Sequence, residues 1–234
     1  MYKVLEVIDL TKVFNKTKRG IKNVNITINS GDFHAFIGEN GAGKTTTIKS
    51  IIGAYPNYSG QILIYGKNIK DASVKSIIGY VPENAIFPKE LSVYQYLYNF
   101  SILSNIPKKQ ADLKIKKFLK LFNIEDLEND KPYNFSSGQK KKVLLIQALL
   151  HDPKLLILDE PAANLDPTAR YELFSLLKSL NENDGIAILI SSHVLSEIDK
   201  YVNSVTLIHN GNIIYSGAKK GHLETLFYEK VINT

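Results

Sequence analysis

Apolar residues recur at two spacings along this chain, and each spacing predicts a type of secondary structure. Alternate positions are apolar in residues 4–10 and 24–28, which predicts strands with one buried face, bearing Val4, Ile8 and Leu10 in the first of them. Almost wholly apolar runs at residues 33–37, 155–158 and 186–190 predict strands that are buried on both faces of a parallel sheet. The chain therefore combines half-exposed and fully buried strands.

Helical spacing and turn residues predict the remaining elements. Further short strands are expected at residues 61–65 and 77–81, and a hairpin joins 205–208 to 212–215 around Asn210-Gly211. Helices are expected at residues 45–52, 137–150 and 171–180 and across 92–123, where Pro107 divides the segment into at least two helices. Alternating strands and helices predict an α/β fold with a mainly parallel sheet. The helical block at about residues 84–150 interrupts that core as a second lobe within a single domain, 1–234.

Composition places the chain among ordinary globular proteins. It is 44% hydrophobic and 22% charged, and it contains no cysteine, which excludes disulfides, thiolate metal sites and a cysteine nucleophile. No apolar run approaches the ~18–20 residues of a membrane span, and charged residues interrupt the N-terminal segment where a signal peptide has its apolar core. These features favour a cytosolic protein.

The chain carries a surplus of basic residues, with a formal net charge of +6. Arg19 and Arg170 are its only arginines, whereas nucleic-acid readers favour arginine for bidentate contacts with bases. A lysine surplus suits diffuse attraction to phosphates or to an anionic membrane. It is also the simple result of a composition rich in Lys, Asn and Ile. No nucleic-acid partner is expected.

A glycine-rich segment between a predicted strand and a predicted helix fits the phosphate-binding pattern GxxxxGK[ST]. Its backbone amides would converge on phosphates, Lys44 would reach the β- and γ-phosphates, and the Thr45 hydroxyl would bind Mg²⁺. The residues expected to bind nucleotide are Gly38, Glu39, Asn40, Gly41, Ala42, Gly43, Lys44, Thr45 and Thr46.

Two carboxylates follow the buried strand at residues 155–158. Because ligands of open α/β sheets bind at the carboxyl ends of strands, Asp159 is expected to hold Mg²⁺ and Glu160 to act as a general base on the attacking water. Together with the glycine-rich segment, this pair predicts a P-loop NTPase.

A third motif narrows the class. Gln139 precedes Asp159 by 20 residues and ends the segment Phe135-Ser136-Ser137-Gly138-Gln139, which resembles the LSGGQ signature of ABC ATPases despite Phe for Leu and Ser for Gly. Small hydroxyl residues and glycine at a helix N-terminus form an anion site. The resemblance implies that Ser136, Ser137, Gly138 and Gln139 contact the γ-phosphate held by the opposite subunit. An ordinary Ser-capped helix is the alternative.

Further segments resemble the same family. Residues 164–166 are similar to the D-loop at the dimer interface, although Asp166-Pro167 also fits a helix start. His193 resembles the switch histidine, a catalytic residue, although histidines after strands are often structural. Phe14 stands where the family stacks an aromatic ring on adenine, or is a half-buried strand residue.

Glu83 departs from the family pattern in its chemistry. It stands at the position of the Q-loop glutamine, which contacts Mg²⁺ and the attacking water, so the resemblance implies a catalytic and metal-binding role. Some exporter ATPases also have Pro-Glu here.

The resemblance runs over residues 4–226 and implies a specific architecture and function. It implies a P-loop core, an N-terminal antiparallel β subdomain and a helical signature lobe, with residues 1–83 and 151–234 in the core. It also implies ATP and Mg²⁺, a homodimer or heterodimer of ATPase subunits, and a separate integral membrane permease. The subunit would be peripheral, on the inner face of the cell membrane.

Residues 87–98 look most like exporters of drugs, antibiotics or peptides. A soluble ABC ATPase of a cofactor-assembly system is the alternative, whereas a small-substrate kinase leaves residues 135–139 and His193 unexplained. No appended regulatory domain is expected after the hairpin at Asn210.

Overall fold

A computed structural model of the chain describes residues 2–16, 19–84 and 86–232, with the side chain of Ile232 left out. The strands are β1 (Lys3–Val13), β2 (Gly20–Asn29), β3 (Phe33–Ile37), β4 (Ser59–Ile64), β5 (Lys67–Asn68), β6 (Ile78–Val81), β7 (Leu155–Leu158), β8 (Ala187–Ser192), β9 (Ser204–His209) and β10 (Asn212–Ala218). The helices are α1 (Lys44–Ile51), α2 (Val93–Leu103), α3 (Lys108–Leu121), α4 (Ser137–Leu149), α5 (Pro167–Asp184), α6 (Leu195–Ile198) and α7 (Leu223–Phe227).

The larger sheet is mainly parallel, as the apolar runs predict. Its strand order is β10-β9-β3-β8-β7-β6, and every neighbouring pair from β9 to β6 is parallel. Only β10 runs antiparallel, as the second strand of the hairpin with β9. The hairpin turns at Asn210 and Gly211, which have φ values of 47° and 79°, the left-handed conformations that such a turn requires.

The continuous apolar strands bury alternate side chains in two different cores. Leu156 and Leu158 of β7 belong to a core with helices α2 to α5. Leu155 and Ile157 belong to a second core with α1 and strands β1, β2 and β4. The central sheet is therefore covered on both faces, which explains why the sequence of its strands shows no polar alternation.

The smaller sheet is antiparallel, in the order β2-β1-β4-β5. Within it the expected alternation is wrong at Ile8, which is exposed, whereas Leu5 and Val7 are buried. The register shifts between Val7 and Leu10, and Asp9 adopts a φ of 49°. This β-bulge changes which residues face the core.

The helical segment begins and divides where the sequence predicts. Ser92 caps α2 in a capping box with Gln95, and Pro107 precedes the first residue of α3. Apolar residues of α2, α3 and α4 share one buried cluster with the central sheet. The helix α5 is longer than the expected 171–180, because Asp166 caps its start and Gly185, with a φ of 66°, ends it.

Candidate functional site

Four neighbouring strands end at one edge of the central sheet and place four loops side by side. Their order is β3, β8, β7 and β6, and all four are parallel. The glycine-rich segment follows β3, His193 follows β8, Asp159 follows β7, and Glu83 follows β6. Segments more than a hundred residues apart in the chain therefore meet at this edge.

The glycine-rich segment is a tight loop whose shape depends on its glycines. Gly43 has a φ of 115°, and a Cβ there would lie 2.5 Å from Ile21 Cγ2. A Cβ on Gly38 would lie 2.4 Å from the Ile208 carbonyl oxygen. Side chains are therefore excluded at both positions. The helix α1 starts immediately after Gly43, and no side chain among the described residues caps its first turn, which leaves that turn available to an anion.

The side chain of Lys44 folds back against the glycine-rich loop. Its side chain is 6% exposed, and Nζ donates to the Gly38 carbonyl at 2.6 Å and to the Glu39 carbonyl at 3.2 Å. Nζ also lies 3.2 Å from Glu160 Oε1. This last contact is an ion pair without hydrogen-bond alignment, since Glu160 Oε1 is buried and makes no hydrogen bond to the described residues.

The second oxygen of Glu160 contacts His193. His193 Nδ1 lies 2.9 Å from Glu160 Oε2, and because a carboxylate only accepts, Nδ1 carries the proton. The backbone of Glu160 has a φ of 45°, which is strained for a non-glycine residue and is typical of functional sites. Glu160 is thus held between an ammonium group and an imidazole.

Asp159 faces the first turn of α1. Its side chain is buried, and Thr45 Oγ1 lies 3.4 Å from Asp159 Oδ1. The same carboxylate oxygen accepts a hydrogen bond from Ser191 Oγ at 2.8 Å. Ser191 Oγ in turn accepts the Glu160 backbone N–H at 2.9 Å. Ser191 thus fixes both acidic residues, a role that sequence reasoning missed although Ser191 ends an apolar run.

Many of the residues that the sequence predicts for nucleotide binding and hydrolysis line one cavity of about 310 Å³. Phe14, Gly38, Ala42, Asp159 and the segment 136–139 are not among its lining. The predicted site residues that do line it are Glu39, Asn40, Gly41, Gly43, Lys44, Thr45, Thr46, Glu83, Glu160 and His193.

Phe14 does not line this cavity and packs against another aromatic ring of the chain. Its ring meets Tyr55 edge-on, with centroids 5.5 Å apart, and the Lys12 ammonium lies 5.4 Å from the Phe14 centroid. Its predicted role at adenine therefore stays a prediction.

The signature segment starts α4 and is exposed at Ser136 and Ser137. Ser136 and Gln139 form a capping box, so the alternative prediction of a Ser-capped helix describes this geometry correctly. Ser137 Oγ donates to the Asn164 carbonyl at 2.7 Å, and this bond exists because serine replaces the usual glycine. Asp166 caps α5 through the Ala169 N–H, as predicted.

Lys141, on the next turn of α4, is a second residue that the sequence reasoning missed. It is 5% exposed, and its Nζ donates to the carbonyls of Pro82 and Glu83. Burial lowers the pKa of Lys141 to about 8, and the carboxylates of Glu83 and Asp159 act in the opposite direction. The sequence does not indicate that Lys141 is buried, because it stands between two other lysines, Lys140 and Lys142.

The donor set fits a magnesium nucleotide. An uncapped helix start with Lys44 suits phosphates, and oxygen donors at Thr45 and Asp159 suit Mg²⁺, which takes one or two carboxylates together with phosphate oxygens. Among residues 2–16, 19–84 and 86–232, no group of three or more histidine or acidic side chains forms a metal site. Glu160 Oε1 is buried and makes no hydrogen bond to the described residues, so its contact there is the Lys44 ammonium at 3.2 Å.

The described part of the chain has no helix that is long and apolar enough to cross a membrane.

The fold and the site define a P-loop nucleotide-binding protein. The sequence profile of the ABC transporter family matches residues 21–163, and the chain belongs to this family as an ATP-binding, ATP-hydrolysing subunit.

Individual relatives agree with this membership. An ABC transporter ATP-binding protein of Mycoplasma pneumoniae is 48% identical over 219 residues, covering 93% of this chain and 67% of the relative. The bacitracin transport ATP-binding protein BcrA of Bacillus licheniformis is 37% identical over 216 residues, covering 92% of this chain and 69% of BcrA. The ADP conformation of an ATP-binding cassette of an ABC transporter superposes with a TM-score of 0.85 at 25% identity, covering 100% of this chain and 98% of the other.

We predict that Ser191→Ala weakens the use of Mg²⁺. The substitution removes the hydroxyl that binds both Asp159 and the Glu160 amide, and loss of such a supporting contact typically weakens metal affinity ~10–100-fold. Mg²⁺ titration of the ATPase rate measures the effect. Ser101→Ala is the matched control, since Ser101 is an equally buried serine on α2. Equal half-saturation in both variants would contradict the role of Ser191.

Proposed function

We propose that this ATPase subunit dimerises head to tail and drives a separate integral membrane permease that exports a drug, antibiotic or peptide. The observation that carries the proposal is the position of Glu160. Its carboxylate lies between Lys44 and His193 and faces the cavity that the glycine-rich loop lines.

Each of the site residues has a separate proposed role in ATP hydrolysis. The loop at 38–46 and Lys44 would hold the triphosphate, and Thr45 and Asp159 would hold Mg²⁺, which would supply positive charge to the phosphate oxygens. Glu160 accepts the proton of the water whose oxygen attacks the γ-phosphorus, the bond from that phosphorus to the β–γ bridging oxygen breaks, and ADP and inorganic phosphate leave. His193 orients Glu160 through its Nδ1–H. Glu83 lines the same cavity and serves as a further metal-facing oxygen donor. Phe14 stacks on adenine.

The signature segment serves the site of the opposite subunit. Ser136 and Ser137 are exposed, and no residue of 136–139 lines the cavity of its own chain. The helix N-terminus therefore offers its positive potential, and the amides that the Ser136–Gln139 capping box does not use, to a γ-phosphate from outside. Only arrangement in a dimer, with an identical or a similar second subunit, completes each site.

The permease and the direction of transport rest on the relatives and on the surface of α3. BcrA is a bacitracin transport protein, which supports an antibiotic or peptide as the cargo, whereas the direction of export rests on the resemblance at residues 87–98. Lys114 contacts Asp152 and the Leu150 carbonyl, so it belongs to the fold. The lysines that stay exposed on α3 are Lys108, Lys109, Lys116, Lys117 and Lys120.

Those exposed lysines attract the subunit to an anionic membrane or to permease loops, at roughly 1 kcal/mol for each lysine near the surface. A solvated helix face is the simpler alternative. The subunit would be peripheral on the cytoplasmic side of the cell membrane, without a nucleic-acid partner. The core is formed by residues 1–83 and 151–234, and the helical lobe by about 84–150.

We expect Glu160→Gln to bind ATP and to stall hydrolysis. Glutamine retains the shape of the side chain but accepts no proton, while Lys44, Thr45 and Asp159 are unchanged. Size-exclusion chromatography with Mg-ATP should show a dimer, and the ATPase rate should fall by at least about 100-fold, the lower end for loss of a general base. Glu172→Gln, an exposed acid on α5, is the control. A monomer with wild-type turnover excludes Glu160 as the base.

We expect Ser136→Arg to block hydrolysis in trans. The arginine side chain fills the helix start that would receive the partner's phosphate, while the glycine-rich loop of the same chain stays intact. A mixture with Lys44→Ala chains can rebuild at most one of the two sites, so its rate should exceed that of either variant alone. Normal hydrolysis by Ser136→Arg alone would show that the signature segment takes no part.

Co-purification tests the proposed partner and transport. If a gene beside that of the tagged chain encodes a multi-span membrane protein, the chain, co-expressed with that protein, should retain it in detergent extract. Inverted vesicles containing both should take up a peptide antibiotic with ATP, and vesicles with Lys44→Ala should not. Uptake only into right-side-out vesicles indicates import. Recovery of a soluble assembly partner instead supports the cofactor-assembly alternative.

A further inference from the structure

The buried ammonium of Lys141 joins helix α4 to the loop that carries Glu83. Lys141 Nζ donates to the Pro82 carbonyl and to the Glu83 carbonyl, both at 3.0 Å. The two acceptors are the residues that follow β6 at the edge of the catalytic cavity. A single side chain therefore bridges the signature helix and the metal-facing loop.

This contact is specific because a buried charge is unfavourable without partners. Lys141 is 5% exposed, and its nearby counter-charges are Glu83 and Asp159. Removing the ammonium group would leave the Pro82 and Glu83 carbonyls without this donor and two acids without their neighbouring cation. The loop at Glu83 would then lose its attachment to α4.

A second bond anchors the same part of α4, one turn earlier. Ser137 and Lys141 are four residues apart and so share a face of the helix. Ser137 Oγ donates to the Asn164 carbonyl at 2.7 Å, in the segment that follows Glu160. The first two turns of α4 are thus attached both to the loop after β6 and to the loop that follows the acidic pair at 159 and 160.

We propose that Lys141 is a positioning residue that makes the Glu83 loop and the signature segment move as one unit. The proposal rests on the proposed function, because the signature segment matters to hydrolysis only if it serves a second subunit. A shift of Glu83 toward the metal would be passed through Lys141 to the helix start at Ser136. Each protomer would then present its signature only when its own loop is in place.

Lys141→Met tests this proposal, with Lys142→Met as the matched control. Lys142 lies on the same helix but pairs with Glu172 on α5 at 3.0 Å. For Lys141→Met we expect a ~10–100-fold rise in the Mg²⁺ concentration for half-maximal rate. In a Glu160→Gln background, it should also weaken the ATP-induced dimer, whereas binding of ATP by the monomer stays within about threefold. Lys142→Met should change neither quantity.

Lys141→Arg separates positioning from packing. The guanidinium retains the charge and carries several N–H donors, and Lys141 lines a cavity of about 290 Å³. The proposal expects recovery to within about threefold of wild type, since the lost bonds are restored. A loss as large as that of the methionine variant overturns it. Should Lys141→Met fail to fold, Lys141→Gln and Lys142→Gln are compared by the same criteria.

The outcomes distinguish this inference from the proposed function. If wild type hydrolyses ATP and Glu160→Gln dimerises, but folded Lys141→Met matches Lys142→Met in Mg²⁺ dependence and dimerisation, the role of Lys141 is overturned while the proposed function stands. If Glu160→Gln does not dimerise with ATP, the head-to-tail function fails, and the inference fails with it.

Discussion

The structure depends on one constraint, the parallel pairing of β3, β8, β7 and β6. This pairing places the carboxyl ends of four strands at one edge, and each end delivers a different chemical group. A hairpin sheet would direct alternate loops to opposite edges, so these groups could not meet. Parallel strands must be buried on both faces, and this requirement produces the antiparallel sheet on one side and the helices on the other.

The second requirement of the site is balance of charge. Asp159, Glu160 and Glu83 bring like charges to one edge, which repel and resist burial together. Two buried lysines supply compensating positive charge. Lys44 lies at Glu160, and Lys141 lies at the Glu83 loop. We infer that the acidic groups are held by fixed cations as well as by metal. Glu83, which departs from the family glutamine, thus has a neighbouring positive charge within the same chain.

Local signals were sufficient for most of the fold. Apolar runs, Pro107 and Asn210-Gly211 predict elements because propensity and turn geometry act over a few residues. The face of Ile8 was predicted wrongly, since the bulge at Asp9 depends on pairing with a distant strand. The extension of α5 to Asp184 was missed, because its polar C-terminal turn has no apolar period.

The motifs of the candidate site were predicted from the sequence, but the residues that hold those motifs in position were not. Lys44 and Glu160 belong to short patterns whose chemistry can be read from spacing. Ser191 and Lys141 act through contacts with residues at sequence separations of 31 and 58, and such contacts exist only after the sheet has formed.

These supporting contacts also give helix α4 its place in the mechanism. Its first turn carries the exposed Ser136, and its second turn carries the buried Lys141. A helix is stiff over two turns, because successive backbone hydrogen bonds fix its rise. In the proposed function, the surface offered to a partner and the loop at Glu83 are therefore connected by a rigid element, whose first two turns bond to Asn164 and to the Glu83 loop. If the subunit dimerises as proposed, this arrangement couples the state of its own nucleotide site to the surface that carries Ser136.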